Sequence, residues 1–71
     1  MKQDIIKDIP ADKIEYVISQ YVHKKRDRDI LRLKWLDELT FHEIAIKVDM
    51  SDRGVQYVVD RNLTRLLKYI L

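Results

Sequence analysis

The narrow gap between two amphipathic runs constrains this chain more than any other feature. "LTFHEIAIKVDMSDRGVQYVVDRNL" (residues 39–63) holds both runs with only a few residues between them. Phe41, Ile44, Ala45 and Val48 mark the inward stripe of the first. Val55, Val58, Val59, Leu63, Leu66, Leu67 and Ile70 mark that of the second, at the three-and-four spacing of a helix with one buried side. Thr40 and Glu43 stand at the T-x-x-E spacing in which each side chain satisfies the other residue's backbone N–H at a helix start. Ser51 is a strong N-cap residue, and Asp52 follows it into the positive end of the helix dipole. A strand over "VQYVV" is the competing reading, but the apolar stripe continues beyond it in helical phase.

Two helices joined this closely form the helix-turn-helix unit. Ala45 is small enough to let the helix backbones approach where they cross. Asp49, four residues on, stands at the corner, where a left-handed backbone is needed; Gly is easiest there, and Asp is tolerated. Val55, ten residues after Ala45, turns the second helix back into the core, and Ile44, Val48 and Val58 complete the wedge.

The remainder is helical too. The chain of 71 residues has one Gly and one Pro, so little interrupts helical phase, and its length fits one domain (1–71) with a modest core. Pro10 suits a helix start, and a helix is expected over about 11–23 with Ile14, Val17, Ile18 and Tyr21 inward. Residues 1–10 precede it as a frayed segment or as a short turn docked through Ile5, Ile6 and Ile9. A second helix is expected over about 27–36, with Ile30, Leu31, Leu33 and Leu36 inward and Trp35 half buried. The expected fold is all-α, about four helices ending in a helix-turn-helix over 40–66. The apolar tail "LLKYIL" covers the first helix or offers a patch to a second copy of the chain.

Several function classes fall away. Without Cys there is neither a disulfide framework nor a thiolate metal site. His23 and His42 are too far apart to suggest a metal centre, so none is expected, and no cofactor is implied. Adjacent Asp37 and Glu38 diverge by about 100° around a helix, which does not make a paired-carboxylate site; no nucleophile–base pair or phosphate-cradling glycine loop is present, and no enzyme activity is expected. No apolar run reaches the roughly 20 residues of a membrane span, and the N-terminus lacks the apolar stretch of a signal peptide, so a cytoplasmic, nucleoid-associated location is expected.

What remains is a set of polar residues that the core does not need. Asp52, Arg53, Gln56 and Tyr57 turn outward near the start of the last helix, the end that enters the major groove in this motif. Arg pairs with guanine, Gln with adenine, and Tyr reaches phosphate or packs on a thymine methyl. Net charge is only +2, but residues 24–34 concentrate Lys24, Lys25, Arg26, Arg28, Arg32 and Lys34 against Asp27 and Asp29. Such a cluster attracts polyanions or is simply a solvated face. Lys24, Lys25, Arg28, Thr40, His42, Ser51 and Arg61 are the candidates for DNA-backbone contacts, with Arg65 farther along the helix. Double-stranded DNA is thus the expected partner. The acidic stretch 35–50 (Asp37, Glu38, Glu43 and Asp49 against Lys47) and Asp52 motivate a second reading, a protein-docking module with little DNA affinity of its own.

"RDRDILRLKWLDELTFHEIAIKVDMSDRGVQYVVDRNLTRLLKYI" (residues 26–70) resembles region 4 of sigma-70-class bacterial sigma factors, and resembles more closely the small phage and mobile-element regulators built on that module. The likeness lies in the "RDRDILRLKWL" helix, the "LTFHEIA" start, the corner, and the long last helix ending "LTRLLKYI". It implies a bacterial or phage transcription regulator whose recognition helix, 52–66, reads promoter DNA. By position Asp52, Arg53, Gln56 and Tyr57 match the family's base-reading places. It also implies RNA polymerase as a partner and places Arg28 and Lys34 on the helix that abuts DNA backbone or the polymerase flap in relatives. Asp52 departs from a place that is often basic, and Gly54 lowers helix propensity by about 1 kcal/mol relative to Ala. Nothing resembles the sigma region that binds the minus-10 element.

Overall fold

The computed structural model describes residues 4–70, with side chains from residue 6 onward. All regular structure among them is helical: α1 (Asp4–Lys7), α2 (Ala11–Tyr21), α3 (Lys25–Trp35), α4 (Phe41–Val48) and α5 (Asp52–Ile70). The long α5 packs on α2, α3 and α4, while α3 touches both α2 and α4. One core results, from Ile14, Val17 and Ile18 of α2, Ile30, Leu31 and Trp35 of α3, Ile44 and Ala45 of α4, and the α5 stripe from Val55 to Ile70. Burying each of the larger aliphatic side chains stabilises the fold by about 1.5–3 kcal/mol before chain entropy is set against it. Of the expected N-terminal turn, Ile6 is buried and Ile9 packs against the core, whereas the side chain of Ile5 lies outside the described residues.

Both helices of the last pair start where the sequence places them, after Thr40 and after Ser51, and α5 runs on to Ile70. The Thr40 hydroxyl accepts the Glu43 N–H at 3.1 Å, and the Glu43 carboxylate accepts the Thr40 N–H at 2.9 Å. That backbone bond, helped by the threonine hydroxyl, holds the Glu43 carboxyl below the usual carboxylate range. Asp49 is left-handed at φ 57°, ψ 51°, and the Met50 N–H closes back onto the Ala45 carbonyl at 3.0 Å, the Schellman arrangement.

The first pair corrects the expected bounds. α2 ends at Tyr21 instead of residue 23, because Val22 is extended (φ −108°, ψ 113°). α3 starts at Lys25 instead of residue 27 and ends at Trp35 instead of 36. The early start is supported by Lys25–Asp29 pairing one turn apart, at 2.9 Å. The released carbonyls of the α2 end are taken by side chains: Arg28 donates to Val22 O at 3.0 Å and to His23 O at 2.7 Å, and Arg65 of α5 donates to Tyr21 O at 3.0 Å. Trp35 is buried, at 7 % exposure, and not half buried, because Ile6 of α1 and Ile9 just after it line the same cleft. After α3, Glu38 also takes a left-handed backbone (φ 59°), a second such position beside the expected one at Asp49.

The tail covers the first helix. Leu66 and Ile70 are buried, and the Tyr69 ring stacks on Tyr21 at 3.7 Å between centroids and 7° between planes. Among the described residues no helix is long and apolar enough to cross a membrane.

Candidate nucleic-acid interface

Two helix N-termini make this face. At α5 the Ser51 hydroxyl accepts the Gly54 N–H at 3.0 Å. A Cβ on Gly54 would lie 3.1 Å from that hydroxyl oxygen and 3.3 Å from the Met50 methyl, so the glycine that weakens the helix also leaves room for its cap. Both cap hydroxyls, Thr40 and Ser51, spend an oxygen lone pair on the backbone and keep the O–H to donate outward.

From the capped start, helical phase divides the residues of α5. Val55, Val58 and Val59 are buried. Asp52, Arg53, Gln56 and Tyr57, the four base-reading candidates, are all exposed, with the Tyr57 ring 64 % so. Arg53 has no hydrogen-bond or ion-pair partner among the described residues. Asp52 has one: both its carboxylate oxygens lie near Nδ1 of His42, at 3.1 and 3.2 Å, so an α4 side chain meets the first residue of α5. Both residues are site candidates from the sequence, where nothing pairs them. Their separation of ten is not a within-helix spacing, and only the corner brings them together.

The backbone-contact candidates fall into two groups. Thr40, His42 and Ser51 belong to the two N-termini just described. Arg61, one turn beyond Tyr57, has its guanidinium 5.9 Å from that ring's centroid and 3.8 Å from the Asp27 carboxylate. Lys24, Lys25 and Arg28 instead surround the α2–α3 junction. Lys24 is exposed, Lys25 is paired with Asp29, and Arg28 caps α2. Lys34, on the same helix, lies over the Phe41 ring at 4.5 Å and donates to the Leu39 carbonyl at 3.2 Å, bracing the approach to α4.

Three features of this face were not singled out from the sequence. Asp27, only 3 % exposed, is a buried acid, and a buried charge needs partners. Arg26, at 3.4 Å, and Arg61 supply them, tying α3 to the side chain beside Tyr57. Asn62 is buried too, donating to the Val58 carbonyl at 2.8 Å and accepting from Arg65 at 3.1 Å. Ile46 is 70 % exposed on α4, an apolar side chain outside the inward stripe. Asp27 and Asn62 are polar residues among charged helical neighbours; Arg61 meets Asp27 only through the fold, and Asn62 bonds within its own helix, so their burial has no local marker. Ile46 could have been found from phase alone, since it falls between the inward positions Ala45 and Val48.

Among the described residues no group of three His, Cys, Asp or Glu side chains could hold a metal ion. The arrangement offers hydrogen-bonding and charged groups on an exposed, capped helix end, which suits recognition of an extended surface. Compared with protein-family models, curated proteins and solved structures, the chain has no match.

Proposed function

We propose that this protein is a sequence-specific DNA-binding transcription regulator, in which α4 and α5 act as a helix-turn-helix and α5, over residues 52–66, is the recognition helix. One observation carries the reading: Asp52, Arg53, Gln56 and Tyr57 are exposed together on the first two turns of a capped helix whose other side is core. A helix end of this kind fits the major groove, where side chains reach base edges and nearby hydroxyls and cations hold phosphates. The sigma region 4 resemblance supports the same assignment. Thr40, His42, Ser51 and Arg61 are the phosphate-side residues on this face, while Lys24 and Lys25 extend the positive field beyond it.

Selection of binding sites from a random duplex pool, at two salt concentrations, tests the reading. The expected result is an enriched motif that survives the higher salt, since contacts made by charge alone weaken steeply as salt rises. Arg53→Ala is expected to relax preference at one position, by about 1–3 kcal/mol of discrimination. Binding without a motif, lost at the higher salt, overturns it.

Exposed Ile46 supports a second reading, in which the outer side of α4 docks on RNA polymerase or another regulator. Binding to purified polymerase that Ile46→Lys abolishes and Arg53→Ala leaves intact would favour it. Homodimerisation through the tail is less supported, because Leu66 and Ile70 are already buried within the chain's own core.

A further inference from the structure

We infer that His42 and Asp52 form one two-residue reader of cytosine, with Asp52 touching the base and His42 as its positioning residue. The inference rests on the DNA-binding reading above. An acid at the leading end of a recognition helix is repelled by phosphates unless its direction is fixed away from them. His42 supplies the donor that fixes it. An ionised carboxylate only accepts hydrogen bonds, so the contact with Nδ1 requires that nitrogen to carry its hydrogen and donate. That hydrogen is shared between both carboxylate oxygens, at 3.1 and 3.2 Å, which restricts rotation of the acid. The Asp52 side chain nevertheless remains 59 % exposed, leaving acceptor capacity on the outer side.

The chemistry of the groove then selects the base. Only cytosine and adenine present an amino donor there. Adenine places the N7 lone pair beside its amino group, which repels a carboxylate, whereas cytosine offers the N4 amino group without a neighbouring acceptor. Guanine and thymine present acceptors to an acceptor-only group. Asp52 therefore favours cytosine at the position facing the first turn of α5. His42 has its own support: it follows Phe41, which is held beneath Lys34, and precedes Glu43, which is locked in the cap.

The test compares the wild-type chain with Asp52→Asn, His42→Leu and His42→Asn, first in selection from the random duplex pool. Affinities are then measured on four duplexes that differ only at the cytosine position, and circular dichroism checks that helix content is unchanged. Wild type is expected to require cytosine at one position. Asp52→Asn is expected to lose about fivefold of that preference, the lower end for a good base contact, with the rest of the motif intact. His42→Leu should lose part of the same preference at the same position. His42→Asn, whose amide can donate from nearly the place of Nδ1, should restore it. A wild-type motif that Asp52→Asn leaves unchanged overturns the cytosine reader while DNA recognition stands. Loss with Asp52→Asn but not with His42→Leu overturns the positioning role. A wild-type chain that selects no motif overturns both.

Discussion

The two helix junctions of this protein are built in opposite ways. Between α4 and α5 the devices are local: a reciprocal Thr40–Glu43 cap, a left-handed Asp49, a Schellman closure onto Ala45, and the Ser51 hydroxyl on the next helix. Between α2 and α3 they are long side chains, one from α3 and two from α5. Arg28 reaches back to the Val22 and His23 carbonyls, Arg65 arrives from α5 to Tyr21, and Tyr69 stacks on the Tyr21 ring. The contrast teaches where charge is free to act. A junction that closes itself leaves its outward arginine, Arg53, without an internal partner, whereas a junction that needs help consumes Arg28 and Arg65.

The strongest way to break the contrast is to remove packing beneath the assisted junction. Ile18 of α2 is fully buried, and Ile18→Ala is expected to cost about 3 kcal/mol, within the 2–5 kcal/mol typical of such truncations. In a domain this small that is a large part of total stability. Urea unfolding followed by circular dichroism measures it; a cost below about 1 kcal/mol would mean that α2 contributes little to the core.

Next come the two arginines, both plausible DNA contacts from sequence. Arg28→Ala removes two hydrogen bonds from a charged donor and is expected to destabilise by about 1–2 kcal/mol, because water can reach the freed carbonyls. Arg53→Ala should change stability by less than about 0.5 kcal/mol, as for surface substitutions generally. Thermal denaturation of the pair settles it. Equal losses would erase the distinction between the junctions.

Thr40→Ala tests the self-sufficient junction itself and is expected to cost about 1 kcal/mol through loss of the N-cap. This junction is also the part of the fold that the sequence makes plain. T-x-x-E, a corner Asp and a Ser before an acid each act within a few residues, so spacing alone locates them, and α4 and α5 start where it places them. The ends of α2 and α3 were misplaced because Arg28 and Lys25–Asp29 decide them, and the competition between those side chains and the backbone has no fixed spacing. Within the candidate site, the exposure of Asp52, Arg53, Gln56 and Tyr57 follows from helical phase. The His42–Asp52 contact and the approach of exposed Arg61 to buried Asp27 depend on how two helices meet, information that lies in the fold and not in either segment. Unfolding of Thr40→Ala and of Ser51→Ala should give similar losses; a silent Thr40→Ala would show that tertiary packing, not the cap, sets the start of α4.

The smallest effect concerns acid. Glu15 of α2 and Arg32 of α3 join the assisted pair directly, with the guanidinium donating to the carboxylate at 2.7 Å. The hydrogen bond from Arg32 holds the Glu15 carboxyl below its ordinary range against the opposing effect of burial, and the charge of Arg32 and the Ser19 hydroxyl add to it. A carboxyl whose pKa is lower folded than unfolded binds protons more readily when unfolded. Its contribution is therefore complete at neutral pH, above the unfolded value, and disappears as pH falls through the folded one. Glu43 follows the same sign within the α4 cap. Both pairs are open to water, so the Glu15 contribution is expected to be under about 1 kcal/mol. Unfolding free energy measured from neutral to acid pH should fall as the carboxyls protonate. Glu15→Gln should start lower at neutral pH, fall less steeply, and converge with wild type at the acid end. Parallel curves would mean that Glu15 and Arg32 meet without joining the two helices energetically.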